Sequence, residues 1–482
     1  MDYNNQNEYS WAEYSKPPKK PQKPEWRCPV SVVLVLLCIA VVATMMITFT
    51  LTASWVRAQD SVIIQEQQQA IKNLQETLAD DDSFAKLEIL ATLLEQLSYY
   101  SDDFDKEEML DAVMRAYIAA TGDDYAAYYT DEEYAALSSD NAGTGVGIGV
   151  SVVQDTLTVA EKAFLTYQIT AIFKGAPAQN SELRVGDHVY AVAVDGEFKT
   201  IEDLGGYTAM LNAIRGEVGT FVTLRAFRID KDGNHSIIEV EIKRDNYTKE
   251  SVSYRVSETD AKVGIVYISE FDLQAPVQFK EAVKDLQKQG VERFIFDVRN
   301  NPGGDLQSIR AVLSYLLHDG DLILTAIDNK GNYVSPVYAG AASYSGDYAP
   351  CSVLADEVGM FADLKMVVLC NGNTASAAEV FTASLRDHKN VTIVGETTFG
   401  KGIMQRYYSL YSLTAGAFDG YVKMTTHAYV TACGVPYHGI GITPTEGYAI
   451  ELSEEALEYH FYLLPESVDN QLQKAIEAVQ SK

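Results

Sequence analysis

The chain has 482 residues, of which 47% are hydrophobic, enough for about three domains with apolar cores. Its formal net charge is −29, from 67 acidic and 38 basic residues, and this acidity excludes nucleic acid as a partner because phosphate binding needs a basic surface. Five cysteines are too few for a disulfide framework, and the sequence leaves open whether Cys351, Cys370 and Cys433 include one bridge.

The N-terminal region predicts a membrane anchor. Residues 1–27 are polar and rich in proline and lysine, which indicates a disordered tail. Residues 28–56 contain no charged side chain, and about 20 apolar residues suffice to span a bilayer. Basic residues precede this run and only Arg57 follows it closely, so the tail is expected in the cytoplasm. We therefore expect an uncleaved single-pass anchor in the cell membrane, with the rest of the chain extracytoplasmic.

Residues 59–140 are predicted to form a helical arm. Apolar side chains recur there at helical spacing, in three stripes that indicate helix packing. The stripes comprise Ile63, Ala70, Ile71, Leu74 and Leu78, then Leu87, Leu90, Leu94 and Leu97, and finally Met109, Val113 and Tyr117.

Residues 143–245 are predicted to be rich in strands, and three segments there resemble a PDZ domain: 175–178, 183–187 and 194–196. The groove helix is expected at 204–214, and a hairpin at 221–227 and 236–242. A PDZ domain adds a peptide as an extra strand and captures its terminal carboxylate with loop N–H groups. The stretch predicted to be that carboxylate-binding loop is Gly145, Val146, Gly147, Ile148 and Gly149. The alternative interpretation of the same stretch is a glycine-rich bend in a strand.

Residues 246–450 alternate strand and helix patterns, which predicts a layered α/β domain. Strands are expected at 263–268, 294–298, 366–370 and 391–394, and helices at 276–289 and 305–318. The acidic tail, residues 451–482, is also predicted to be helical.

Two residues at strand ends predict nucleophilic catalysis. Ser376 follows the strand at 366–370, and Lys401 follows the next strand of the motif region, at 391–394. A parallel β-α-β unit would bring both to the same sheet edge. A serine hydroxyl needs a nearby base, and a lysine serves as one only where burial removes its proton near neutral pH.

Ordered motifs in this region resemble those of the C-terminal processing peptidases, membrane-bound serine endopeptidases with a Ser-Lys dyad and a PDZ domain. NGNTASAAE, residues 371–379, resembles the nucleophile segment, and GETTFGKGIMQ, residues 395–405, the segment that carries the base. DVRNNPGG, residues 297–304, resembles the oxyanion loop. GITPTEG, residues 441–447, resembles the closing motif, with Thr445 where an acidic residue is usual. The resemblance runs from about Ala85 to about Gly447.

The resemblance implies a role for each motif residue. Ser376 would be the nucleophile, Lys401 the general base and Gln405 the residue that orients the lysine. Backbone N–H groups of Ala377 and of Gly303 or Gly304 would stabilise a tetrahedral oxyanion.

The resemblance also implies a multidomain α/β fold in which residues 246–450 form a crotonase-like ββα spiral. Substrates would be proteins or peptides with free C-termini, and no metal, nucleotide or organic cofactor is implied. The helical arm would then be a dimerisation arm that produces a homodimer, as an alternative to ordinary helix packing.

Other interpretations of the same residues stay open. Ser376-x-x-Glu379 also fits a helix capping box, and a serine–histidine pair could form with His388, His427 or His438. Residues 395–401 match most of a P-loop, but Gly402 replaces the Ser/Thr that would bind magnesium. Two other functions are a non-catalytic PDZ receptor or scaffold and a crotonase-type acyl-transfer enzyme. The presence of Ser376, Lys401 and Gln405 together argues against the first, because a scaffold has no need of all three. The anchor and the PDZ-like segment argue against the soluble thioester substrate of the second.

Overall fold

The computed structural model describes Leu90, Leu94, residues 105–230 and residues 233–482. The chain divides into two units, Met1–Asp103 and Phe104–Lys482. The predicted tail at 1–27, the anchor at 28–56 and most of the arm before residue 105 lie outside the described residues. Leu90 and Leu94 are both helical. In the part of the chain that the structure describes, no helix has the length and apolar character needed to cross a membrane.

The second unit mixes helices and strands. Its helices are α1 Lys106–Ala119, α2 Asp131–Asn141, α3 Ile201–Leu204, α4 Tyr207–Ile214, α5 Ala275–Lys288, α6 Leu306–Leu316, α7 Ala377–Lys389, α8 Leu410–Leu413, α9 Glu454–Leu457 and α10 Asn470–Gln480. Its strands are β1 Ala127–Tyr129, β2 Thr144–Gly147, β3 Val150–Val159, β4 Lys162–Ile172, β5 His188–Val194, β6 Glu197–Thr200, β7 Phe221–Ile229, β8 His235–Lys243, β9 Asp245–Thr248, β10 Val252–Val256, β11 Val263–Ile268, β12 Arg293–Asp297, β13 Leu322–Ile327, β14 Tyr333–Tyr338, β15 Lys365–Cys370, β16 Thr392–Gly395, β17 Ile403–Ser409 and β18 Tyr421–Thr431.

A five-stranded sheet of order β10-β11-β12-β15-β16 forms the centre of the α/β region. Strands β11, β12, β15 and β16 are mutually parallel, and β10 is antiparallel to β11. The predicted strands and helices of this region are confirmed, with ends that differ by one or two residues. The parallel strands are continuous apolar runs because both faces of the sheet are covered.

Helices cover both faces of this sheet. On one face α5, α6 and α7 bury a core that includes Phe279, Val312 and Phe381. On the other face α10 packs Ile476 and Val479 against the sheet, so the predicted helical tail is confirmed in this part. Burial of one such side chain contributes about 1.5–3 kcal/mol to folding.

A buried arginine attaches the C-terminal region to the sheet. The Arg299 guanidinium donates to both oxygens of Asp469 at 3.0 and 2.7 Å and to Gln471 Oε1 at 3.1 Å. It also pairs with Asp297 at the end of β12. A buried charge costs several kcal/mol unless it is paired, so this network fixes both the tail and the loop after β12.

A second sheet, of order β1-β18-β13-β14 with β17 also paired to β18, includes part of the predicted helical arm. Strand β1 departs from the helical prediction for 59–140: the chain turns at Gly122 (φ +77°), and Tyr128 then pairs with Val422 of β18. The Tyr128 hydroxyl donates to Asp111 at 2.9 Å, which fixes the strand against α1. The segment before residue 142 thus joins the sheet that carries Gln405.

The strand-rich region forms a third sheet of order β3-β4-β5-β7-β8, with β6 on β5. The predicted hairpin is confirmed, with Phe221 opposite Lys243. The helix predicted at 204–214 is confirmed as α4, which begins three residues later than predicted: Leu204 ends the preceding short helix α3, and Gly205 and Gly206 adopt φ values of +91° and +131° between the two. Met210 of α4 is fully buried against this sheet.

Candidate active site

Three loops meet at the carboxyl edge of the parallel sheet. They follow the adjacent strands β12, β15 and β16, and they carry Gly303, Ser376 and Lys401 respectively. The prediction that Ser376 and Lys401 lie at one sheet edge is confirmed, since Cys370 pairs in register with Gly395. Both side chains line a cleft of about 410 Å³ together with Gly304 and Gln405. Ligands of α/β proteins bind at such an edge.

Ser376 occupies a strained strand-to-helix turn. Its backbone has φ +54° and ψ −119°, and it is the N-cap of α7. A non-glycine residue in such a conformation costs about 1–3 kcal/mol and persists only where its surroundings enforce it. Ala375 N–H donates to Asn301 O at 2.9 Å, and Thr374 Oγ1 donates to Val298 O at 2.8 Å. The turn is therefore held against the loop that follows β12.

The predicted oxyanion donors lie beside Ser376, but they are not equivalent. A Cβ atom on Gly303 would lie 2.7 Å from Ser376 Cβ and 2.9 Å from Ala377 N, so only glycine fits there. Gly303 N–H donates to Asn301 Oδ1 at 2.8 Å and is occupied in this structure. Gly304 is exposed and lines the cleft, and Ala377 is the first residue of α7, where N–H groups lack partners within the helix.

Glu379 connects the two predicted catalytic segments. Its carboxylate is fully buried and accepts the N–H of Ser376 at 2.9 Å and the N–H of Gly400 and Lys401 at 2.7 Å each. It also accepts the Thr398 hydroxyl at 2.5 Å. The capping-box interpretation of Ser-x-x-Glu is correct for the glutamate, which receives the Ser376 N–H. The same carboxylate fixes the lysine loop to the serine turn.

Lys401 lies partly buried in the cleft. Burial lowers the pKa of its ammonium, the charge of Lys423 lowers it further, and Glu379 opposes the shift. The Nζ atom lies 4.6 Å from the ring centroid of Tyr125, and no hydrogen bond joins it to Ser376 Oγ among the described residues. Catalytic hydrogen bonds often tighten only when substrate binds.

Gln405 lines the cleft, but its side chain is hydrogen-bonded to Thr425 and not to Lys401, the residue that it was predicted to orient. Its Nε2 donates to Thr425 Oγ1 at 3.3 Å, and Thr425 is held by Asp123 through its N–H and hydroxyl at 2.9 and 3.0 Å. Within the described range no hydrogen bond joins Gln405 to Lys401. The register shift between Met404 and Gln405 in the β17–β18 pairing places Gln405 opposite Thr425.

The histidines of the serine–histidine alternative lie elsewhere. His388 Nε2 contacts Leu322 O at 2.6 Å, and His427 Nδ1 contacts Thr426 Oγ1 at 2.8 Å. Neither they nor His438 are among the described residues that line the cleft.

The predicted carboxylate loop at 145–149 is partly occupied by a side chain. Strand β2 pairs with β9, with Gly145 opposite Tyr247. A Cβ on Gly145 would lie 2.6 Å from Tyr247 Oη, and one on Gly149 would lie 2.2 Å from the Ala176 Cβ. The remaining groove has a volume of about 90 Å³ and is lined by Ile148 and by Leu211 of α4, among others.

Sequence reasoning did not identify several residues of the site. Glu379 was visible only as half of a capping box, and Tyr125, Lys423 and Thr425 lie in segments that carry none of the motifs. Their proximity to Lys401 and Gln405 arises from the pairing of β1, β17 and β18.

This geometry is that of a hydrolase with a serine nucleophile, and comparison with known proteins agrees. Residues 262–447 match the family model described as peptidase family S41. The chain is 28% identical over 352 residues to the carboxyl-terminal-processing protease of Picosynechococcus sp., covering 71% of this chain and 75% of the relative. It is 28% identical over 363 residues to the carboxy-terminal processing protease CtpA of Bacillus subtilis, covering 75% of this chain and 68% of the relative.

A solved structure described as the photosystem II D1 C-terminal processing protease is 23% identical, with a TM-score of 0.41, over 80% of this chain and 92% of that one. The predicted resemblance to the C-terminal processing peptidases is confirmed by the family S41 match over residues 262–447 and by the similarity to these relatives. Against a Staphylococcus aureus relative described as a probable CtpA-like serine protease, it spans 66% of that protein's length.

Proposed function

We propose that this protein is a serine endopeptidase that cleaves protein substrates at or near their C-termini. One observation carries the proposal: Ser376, in a strained turn, shares a cleft with Lys401, whose pKa is lowered by burial. The descriptions of the relatives as C-terminal processing proteases support the substrate class.

In the proposed reaction, Lys401 carries each proton between Ser376, the leaving amine and water. Neutral Lys401 Nζ accepts the Ser376 hydroxyl proton while Oγ attacks the scissile carbonyl carbon. The tetrahedral oxyanion faces the N–H groups of Gly304 and Ala377. The Lys401 ammonium then gives its proton to the leaving amine as the C–N bond breaks. Neutral Lys401 then takes a proton from water as the hydroxide attacks the acyl carbon, and the ammonium returns that proton to Ser376 Oγ as the ester C–Oγ bond breaks, which releases the new carboxyl terminus and restores the free enzyme. In this scheme Gln405 orients the lysine once the cleft is occupied.

The proposal extends to the rest of the molecule. Residues 143–245 act as a PDZ domain that binds substrate tails through the loop at 145–149, either to recruit substrate or to open the site. Residues 246–450 adopt a crotonase-like spiral. Residues 28–56 anchor the protein in the cell membrane, with the catalytic region extracytoplasmic, which is supported by the basic residues that precede this run.

A fluorophosphonate probe tests the nucleophile directly, since it phosphonylates an activated serine. We expect labelling at Ser376 in the full chain and none in Ser376→Ala, which should keep its fold because only the hydroxyl is lost. A folded Ser376→Ala protein that still cleaves a tailed substrate would remove the nucleophile assignment. An unlabelled but peptide-binding wild-type protein would favour the receptor or scaffold function.

Matched peptides test the PDZ role. Calorimetry should give tighter binding for a peptide with a free apolar C-terminus than for its amidated counterpart, because only the former presents a carboxylate. The measurement uses Ser376→Ala protein, so that the peptide is not cut. Equal affinities would contradict carboxylate capture.

A further inference from the structure

A second lysine lies in the cleft with Ser376 and Lys401. Lys423 is on β18, opposite Tyr407 of β17 and Ala127 of β1. Its Nζ lies 5.5 Å from the ring centroid of Tyr129. Among the described residues, no hydrogen bond or ion pair involves the Lys423 side chain.

Two other partly buried lysines, Lys249 and Lys280, are paired with carboxylates. Lys249 Nζ lies 3.0 Å from Asp140 and 2.8 Å from Glu270, and Lys280 Nζ lies 2.8 Å from Glu357. Lys401 and Lys423 differ from these because, within the described part of the chain, neither forms an ion pair. The cleft thus holds two amines that form no ion pair with the other described residues, an arrangement that favours loss of one proton.

We propose that Lys423 is a positioning residue that keeps Lys401 in its neutral, proton-accepting form by repulsion between like charges. The inference rests on the proposed function, in which Lys401 is the base. A neighbouring cation is a known way to activate a lysine for catalysis, since two ammonium groups in a cleft of restricted solvent access repel each other. Lys401 gives up its proton more readily because it is also desolvated by burial.

The other ionisable groups around the pair do not cancel this repulsion. The Glu379 carboxylate favours the Lys401 ammonium, but its oxygens already accept four hydrogen bonds. Burial raises the pKa of Tyr407 to about 12, so this phenol stays neutral. Tyr125 and Tyr129 present ring faces to Lys401 and Lys423.

Burial also raises the pKa of the phenols of Tyr134, Tyr348 and Tyr429, which line the cleft and stay neutral. The three carboxylates that line the rest of the cleft are already engaged. Glu270 is paired with Lys249, and Asp305 accepts the N–H groups of Gln307 and Ser308 at the start of α6. Asp140 is also paired with Lys249. The charge of Lys423 is therefore the one that acts on Lys401 against Glu379.

The test is the pH dependence of the second-order rate of Ser376 labelling by the fluorophosphonate probe, in the full chain. In Lys423→Gln the inflection of the pH–rate profile should move to higher pH. At pH values below the inflection, the labelling rate should then fall by about threefold or more, and the plateau should be reached only at a higher pH than in the wild type. In Lys423→Arg the inflection should stay close to wild type, because a guanidinium keeps the charge and cannot act as a base. Lys330→Gln removes one charge from an exposed turn and controls for net charge.

The outcomes separate this inference from the proposed function. A labelled wild-type protein with an unmoved inflection in Lys423→Gln overturns the role of Lys423 and leaves the function standing. An inflection that moves equally in Lys423→Arg also overturns it, because the effect would then not be one of charge. An unlabelled wild-type protein refutes the function itself. Circular dichroism checks folding, and Lys423→Met is the neutral variant to use if Lys423→Gln does not fold.

Discussion

Substitution of Gly304 by alanine should show whether the position of the oxyanion loop matters for catalysis. A matched substitution elsewhere measures the effect of backbone strain alone. Gly304 has φ +142°, and a Cβ there would lie 2.3 Å from Phe271 O and 2.6 Å from Phe271 C. These atoms are backbone, held by the bridge between Phe271 and Gly304, and cannot rotate away. The loop must therefore move, and its N–H with it.

The expected losses can be worked out from a matched control. Gly331 has φ +84° in an exposed turn with no atom within 4 Å of a built Cβ, so Gly331→Ala should cost only the strain, about 1–2 kcal/mol. Gly304→Ala adds the overlap, which costs about 1–3 kcal/mol more. Loss of one oxyanion donor slows catalysis by about 10²–10³-fold.

The assays are urea unfolding for stability and fluorophosphonate labelling of Ser376 for activity. We expect Gly331→Ala to label at the wild-type rate and Gly304→Ala to label at least a hundredfold more slowly while folded, of the order expected for one lost donor. A folded Gly304→Ala protein that labels like Gly331→Ala would refute both the role of this N–H and the need for the loop to keep its position.

Two further predictions concern the groups behind the nucleophile. Because the pKa of Lys401 is lowered, the rate of Ser376 labelling should rise with pH and level off below the pH at which a free lysine loses its proton. Lys401→Arg should be inactive at every pH, because its guanidinium stays protonated. An active arginine variant would indicate that another residue is the base. In Glu379→Gln one carboxylate oxygen becomes an amide NH2, which then faces two N–H or O–H donors that it cannot accept. We therefore expect labelling at the plateau pH to be at least about tenfold slower than in the wild type. The control variant Glu446→Gln changes an exposed carboxylate and should label at the wild-type rate. Equal rates for the two glutamine variants would mean that the Ser376 turn and the Lys401 loop keep their places without the carboxylate.

The parallel sheet and its catalytic edge could be predicted because they are local patterns. Val263–Ile268 is a continuous apolar run of strand length, and the loops that carry Ser376 and Lys401 each begin at the end of such a run. A parallel connection through α7 then leaves little freedom in where the two residues lie.

The rest of the site depends on contacts that a sequence does not display. Glu379 accepts hydrogen bonds from the backbone N–H groups of Gly400 and Lys401. Almost every residue has such a group, so the sequence does not show which ones will bind the glutamate. Strand β1 has three residues, too few for an alternating pattern, and it nevertheless brings Tyr129 and the preceding Tyr125 to the lysines. The register shift in β17–β18 decides the partner of Gln405, and a bulge has no reliable sequence signal here.

The attachment of Arg299 to Asp469 has a consequence for biosynthesis. Arg299 immediately precedes the loop that holds Asn301, which in turn supports the Ser376 turn. The partner of this arginine is 170 positions later in the chain, so it leaves the ribosome well after the loop that it supports. Contacts of large sequence separation form slowly and late. A nascent chain in which every proposed catalytic residue has left the ribosome would still lack this support for its oxyanion loop, and we expect it to remain inactive until α10 docks.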